Sequence, residues 1–132
     1  MKNLDPFFKK RPEIVLAYLF GSRARGTQRP RSDTDLGVLL EKGFDQKRYL
    51  DFRLELLKDL DHFLGVENID LVILNGAPPL LKFQVAKYGK IMFQRKGTSD
   101  VTFRARAFME YMDIKPMLDF FTKDALRKIR GA

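Results

Sequence analysis

The chain has 132 residues, 45% of them apolar, 32% charged and 12% aromatic, with no cysteine and a formal net charge of +8. That length suits a single domain over 1–132, the apolar share excludes a disordered chain, and the lack of cysteine excludes disulfides, thiolate metal sites and cysteine nucleophiles. The longest uncharged apolar run, 14–20, falls far short of the roughly 20 residues that cross a bilayer, so the chain reads as cytoplasmic with no membrane partner. Its charge is uneven: residues 1–32 hold eight Lys/Arg against two acids, a front that can attract phosphates or simply keep the surface soluble.

In chain order, Ile14 to Phe20 is a continuous apolar run ended by Gly21, the pattern of a strand buried on both faces. Residues 21–32 are polar, with two glycines, a proline and four arginines, and read as a turn followed by a short helix or loop. Asp35 to Leu40 reads as a second strand. Residues 45–64 place Tyr49, Leu50, Leu56, Leu57, Leu60, Phe63 and Leu64 on one helical face, with Asp45 able to cap and Gly65 at the exit. Ile69 to Leu74 is a third strand, Pro79 to about Tyr88 a helix stopped by Gly89, and Ile91 to Gln94 a short edge strand. From Ser99 to about residue 130 the pattern predicts helix, interrupted near Lys115-Pro116 because proline disfavours helical geometry in the residue before it. The expected architecture is α/β: a mixed sheet of about four strands with packed helices, a core over 14–94 and a helical C-terminal region.

The chemistry concentrates in Gly21-Ser22-Arg23-Ala24-Arg25-Gly26-Thr27 and Ser32-Asp33-Thr34-Asp35-Leu36. On an extended segment Asp33 and Asp35 project to the same side. Two carboxylates that close repel unless a cation sits between them, and hard oxygen ligands that leave room for phosphate oxygens favour magnesium. Gly21 lets the backbone approach a phosphate, and the Ser22 hydroxyl and nearby amides can donate to it. Asp70 opens an otherwise apolar strand, where an acid is expensive unless it faces a metal or a substrate hydroxyl. Each piece alone is commonplace; an isolated Asp-x-Asp is usually a turn. Their combination, a buried strand ending in Gly-Ser, a basic turn and paired acids opening a second strand, is much more specific.

Phe20 to Gly26 with Ser32 to Leu36 resembles the signature of the DNA polymerase beta-type nucleotidyltransferase superfamily, and Asp70 stands in the place of its third acid. The small size resembles the minimal nucleotidyltransferase antitoxins of the MntA type that pair with HEPN toxins; Ala107 to Leu118 resembles their C-terminal helix region. The resemblance implies ATP as donor, magnesium as cofactor, and transfer of AMP to a tyrosine of a HEPN ribonuclease toxin, which silences it. It further implies that Asp33, Asp35 and Asp70 bind metal and carry catalysis, with Asp70 helping to activate the acceptor hydroxyl, and that Gly21 and Ser22 hold the β and γ phosphates.

Arg23 and Arg25 belong to a dense arginine cluster beside the phosphate site, where Arg25 can offset pyrophosphate charge; Arg29 and Arg31 read better as a solvated or docking surface. His62, with no second His and no Cys, reads as a surface residue. The tail carries Phe103, Phe108, Met109, Tyr111, Met112, Met117, Leu118, Phe120 and Phe121 on more than one helical face, which suits either a partner surface or an ordinary core helix. Competing functions are a non-catalytic binding antitoxin and a nucleotidyltransferase acting on a small molecule or an RNA end. A nucleic-acid-binding module explains the charge but leaves Asp33, Asp35 and Asp70 unexplained, so nucleic acid is not expected as the direct substrate.

Overall fold

The computed structural model describes residues 3–21, 34–65 and 68–131. The elements are α1 (Asp5–Lys9), β1 (Ile14–Phe20), β2 (Thr34–Leu40), a 3-10 turn (Gln46–Arg48), α2 (Tyr49–Leu64), β3 (Ile69–Ile73), α3 (Pro79–Tyr88), β4 (Lys90–Gln94) and α4 (Asp100–Arg130). The sheet order is β3-β2-β1-β4. β1 runs antiparallel to β2 and β4, whereas β2 and β3 are parallel, so the sheet is mixed, as expected. The turn and short helix or loop expected after Gly21 fall outside the described residues.

Strand periodicity divides the core in two. Ala17 and Leu19 of β1, Leu36, Val38 and Leu40 of β2 and Leu71 of β3 face α1 and α2, where Phe7, Phe8, Leu56 and Leu60 are buried. Leu16 and Tyr18 face the other way, with Leu74, Val85 and Phe103. Ile14 joins the first group against the alternation because the β1–β2 register shifts between Ile14 and Leu16. The central strands therefore read as continuous apolar runs.

The Asp45 side chain accepts from the Lys47 amide at 3.0 Å and starts the 3-10 turn that leads into α2, while Gly65 closes that helix at φ 64° in the left-handed region. His62 is exposed, as expected. α1 was not expected from sequence. It is only five residues long but buries Phe7 and Phe8, and Arg95 beyond β4 holds its far end, donating to Phe8 O at 3.1 Å, Arg11 O at 2.9 Å and Ile14 O at 2.9 Å. Phe8 O and Arg11 O each also accept a backbone amide, from Arg11 and Ile14 at 3.0 Å, so Arg95 adds a charged donor to a turn that is already hydrogen-bonded.

The expected interruption at Lys115-Pro116 is corrected: α4 runs unbroken for 31 residues with Pro116 inside it. The proline removes one amide donor, whose acceptor would be the carbonyl of Met112. Met112 is itself exposed, so water can satisfy that oxygen and the helix continues.

α4 is fastened to the sheet by a polar network. The fully buried Tyr18 donates its hydroxyl to Asp100 Oδ1 at 2.5 Å. Arg104 donates to the same oxygen at 2.8 Å and also to Ala86 O at 3.0 Å and Gly89 O at 2.9 Å, satisfying carbonyls at the end of α3. Burial, then the hydrogen bond to Asp100, pushes the Tyr18 hydroxyl far above its ordinary range. Burial works against ionised Asp100, but the bonds from Tyr18 and Arg104 and the charge of Arg104 outweigh it and hold the carboxyl below its usual value.

Candidate active site

The candidate site gathers where β1 ends and β2 and β3 begin. Asp35 lies opposite Phe20 on one side and opposite Asp70 on the other. Because β2 and β3 are hydrogen-bonded in register, their backbones are about 4.8 Å apart there, and residues in register project to the same face. That face is fixed by the neighbours: Leu36 and Leu71 point to α1 and α2, so Asp35 and Asp70 share the opposite face. Asp35 is half-buried and Asp70 is exposed.

Gly21 completes the described part of the site. Its φ of 78° is left-handed, and a Cβ built on it would overlap Asp35 Oδ2 and stand 3.1 Å from Cγ. Glycine is needed here twice over, for the turn and for the space that the Asp35 carboxylate fills. Behind it, Thr34 is buried and its amide donates to Asn68 O at 2.9 Å, tying the start of β2 to the start of β3.

Of the residues expected from sequence, the structure brings together Gly21, Asp35 and Asp70. Ser22, Arg23, Arg25 and Asp33 lie outside the described residues, as do Arg29 and Arg31. Among the described residues no group of three or more acids, histidines or cysteines could hold a metal ion. The pair that is present, two carboxylates on one face, offers the hard oxygen donors that suit a divalent cation such as magnesium.

The expectation that burial makes Asp70 costly is corrected. β3 is an edge strand and the Asp70 side chain is 54% exposed, so water offsets its charge and its significance rests on its register with Asp35. Sequence reasoning also missed Arg53. It reaches from α2 around the edge strand, donating from Nε to Leu71 O at 2.6 Å and meeting Asp70 Oδ1 through Nη2 at 3.5 Å. At that distance and exposure the pair contributes little to stability. No local pattern signals it, because it depends on how α2 packs against β3.

The fold and this pair of strand-borne carboxylates agree with what comparison shows: the chain belongs to the family described as Polymerase beta, Nucleotidyltransferase, which residues 2–98 match. A protein adenylyltransferase MntA of Shewanella oneidensis is 37% identical over 79 residues, 60% of this chain and 53% of that protein, so the match spans about half the relative's length. A protein adenylyltransferase MntA of Aphanizomenon flos-aquae is 28% identical over 115 residues, 80% of this chain and 74% of that one. Among solved structures, a toxin–antitoxin complex with AMP-PNP contains a chain that superposes with a TM-score of 0.74 at 29% identity, covering 91% of this chain and 92% of its own. The complex of tri-AMPylated Shewanella oneidensis HEPN toxin with MNT antitoxin gives 0.68 at 26% identity, covering 90% and 88%.

Proposed function

We propose that this chain is the antitoxin of a toxin–antitoxin pair and acts as a cytoplasmic, magnesium-dependent protein adenylyltransferase, moving AMP from ATP to a tyrosine of a HEPN ribonuclease toxin. The observation that carries the reading is the in-register pair Asp35 and Asp70 with Gly21 pressed against Asp35. The names of the relatives, and the AMP-PNP and HEPN toxin in the solved complexes, support the donor and the acceptor.

In this reading Asp33, Asp35 and Asp70 hold magnesium, which when bound neutralises charge on the phosphates. Gly21 and Ser22 seat the β and γ phosphates, Arg25 offsets the charge of departing pyrophosphate, and Arg23 contributes to nucleotide binding. The tyrosine oxygen bonds to the α phosphorus, the bond from that phosphorus to the β-phosphate oxygen breaks, and pyrophosphate leaves. The phenol proton passes to the Asp70 carboxylate, whose exposure lets a foreign side chain reach it. The acceptor tyrosine arrives on the partner, which brings the hydroxyl to the bound nucleotide.

The test is intact-mass spectrometry of a cognate HEPN toxin after incubation with this chain, ATP and magnesium. The expected result is added AMP mass on a toxin tyrosine and loss of ribonuclease activity. Silencing with no change in mass, matched by an Asp35→Asn variant, would show a binding antitoxin. AMP found only on a small molecule or an RNA end would move the acceptor.

Gly21→Ala gives a second, independent check. The new Cβ must push the Asp35 carboxylate aside and holds a left-handed φ at a cost of about 1–2 kcal/mol. Misplacement of a catalytic group by about 1 Å costs on the order of a hundredfold in rate. Transfer rate and denaturant midpoint measured together should show a large kinetic loss and a small loss of stability; a wild-type rate would remove Asp35 from the reaction.

A further inference from the structure

The first half of α4 is well supported. Phe103 stacks on Tyr18 at 5.4 Å, Phe108 and Tyr111 meet Phe83 at 5.1 and 4.1 Å, and Glu110 pairs with Lys82 at 2.8 Å. α3 has 10 residues against the 31 of α4 and runs antiparallel to it, Arg104 lying at its C-terminal end and Glu110 reaching Lys82 near its start. Residues 115–130 therefore run on past Pro79, a projection of roughly 24 Å. Their described hydrogen bonds and ion pairs are all internal to the helix: Lys115–Asp119, Thr122–Leu118, Asp124–Arg127 and Asp124–Lys128.

This projection exposes large apolar side chains: Met117, Phe120 (65%), Phe121 (57%), Leu126 and Ile129 (73%). Phe120 and Phe121 point about 100° apart around the axis, while Met117 and Phe121 share a side. A helix that lies on a membrane keeps its apolar residues on one face; one that is apolar on several sides is suited to enclosure in a groove. The charge points the same way. The stretch holds five basic side chains against two acids, and both acids are already paired within the helix, so Lys123 and Arg130 have no ion pair among the described residues. A second copy would bring the same excess and repel.

We infer that residues 115–130 form the docking helix for the toxin, inserting into an apolar groove with an acidic rim on that partner. The inference rests on the antitoxin reading above. It also makes docking separate from chemistry, because the projection passes the end of α3 that follows the C-terminus of β3, whereas Asp70 stands near the start of that strand.

The test compares Phe120→Asp/Phe121→Asp and Lys123→Glu/Arg130→Glu with wild type, using a purified cognate HEPN toxin as acceptor and titrating it in the transfer assay. Both variants alter only exposed positions, and an unchanged thermal midpoint confirms their fold. The expected result is a KM for the toxin raised at least tenfold in each, with kcat at saturating toxin and the half-saturation for ATP unchanged. An unchanged KM in both, with wild type active, overturns the docking helix while leaving the antitoxin reading intact; a wild type that neither binds nor modifies the toxin overturns both. Sedimentation of the chain alone and of the chain with phosphatidylserine-containing vesicles supplies the remaining outcomes. A dimer, or vesicle binding, that the Phe variant abolishes replaces the toxin groove with a second copy or a membrane and overturns the inference.

Discussion

Asp35→Asn is expected to lower AMP transfer at least roughly a hundredfold, the scale seen when one preorganised electrostatic group is removed from a reaction centre, with little change in unfolding. The substitution keeps shape and one oxygen but loses the charge. The backbone of β2 is held by Phe20 on one side and Asp70 on the other, and neither pairing depends on the carboxylate. Asp70→Asn and Asp33→Asn should also fall, and chelation of magnesium should abolish transfer in wild type. Label transfer from α-labelled ATP reads the rate, with circular dichroism as control. A wild-type rate in Asp35→Asn would end the carboxylate assignment.

Asp100→Ala should have the largest effect on stability, about 3 kcal/mol, or a fall in Tm on the order of 10 °C. It strands two donors at once, the hydroxyl of fully buried Tyr18 and Nε of Arg104. It also removes an acid from the first turn of α4, where the helix dipole favours one. The same network predicts a pH window. Tyr18 has its folded value raised, so its contribution is complete below its ordinary value of 10.0 and is lost as pH rises above that. Asp100 has its folded value lowered, so its contribution is complete above its ordinary 3.8 and is lost as pH falls through the lower folded value. Denaturant titrations at pH 7 and 11 should show an alkaline loss in wild type that Tyr18→Phe largely removes. Equal losses in both would place the alkaline sensitivity elsewhere.

The strands were legible because each is an apolar run closed by a turn residue, and α2 because Tyr49, Leu56, Leu57, Leu60, Phe63 and Leu64 repeat on one face between Asp45 and Gly65; Leu50, expected on that face, is instead exposed. α1 was not. Its two phenylalanines sit in a short basic stretch, and what holds it is Arg95, more than eighty residues away in sequence. The Tyr18–Asp100 bond spans a similar separation, so nothing near either residue announces it. At the site, the acids and Gly21 could be found by motif, but the reason they matter is pairing geometry. Asp70 is exposed rather than buried, and the parallel register of β2 and β3 sets it beside Asp35. Arg53 shows the same limit, since a helix must first pack before its side chain can meet the strand edge.

Pro116 stands where the packed part of α4 gives way to its projecting part, and the two parts are expected to open independently. N-terminal to it, amides are locked by Phe83, Lys82 and Tyr18, and they can exchange with solvent only when the body opens. C-terminal to it, the fourteen residues 117–130 make all their described hydrogen bonds and ion pairs within the helix, and helices of about that length are marginal in water by themselves. The proline has already taken one rung from the ladder at the junction. In the free protein, amide hydrogens after Pro116 should therefore exchange orders of magnitude faster than those of Ala107 or Phe108. Capture by a partner then slows exchange in that part alone, and the work of ordering it is subtracted from the affinity.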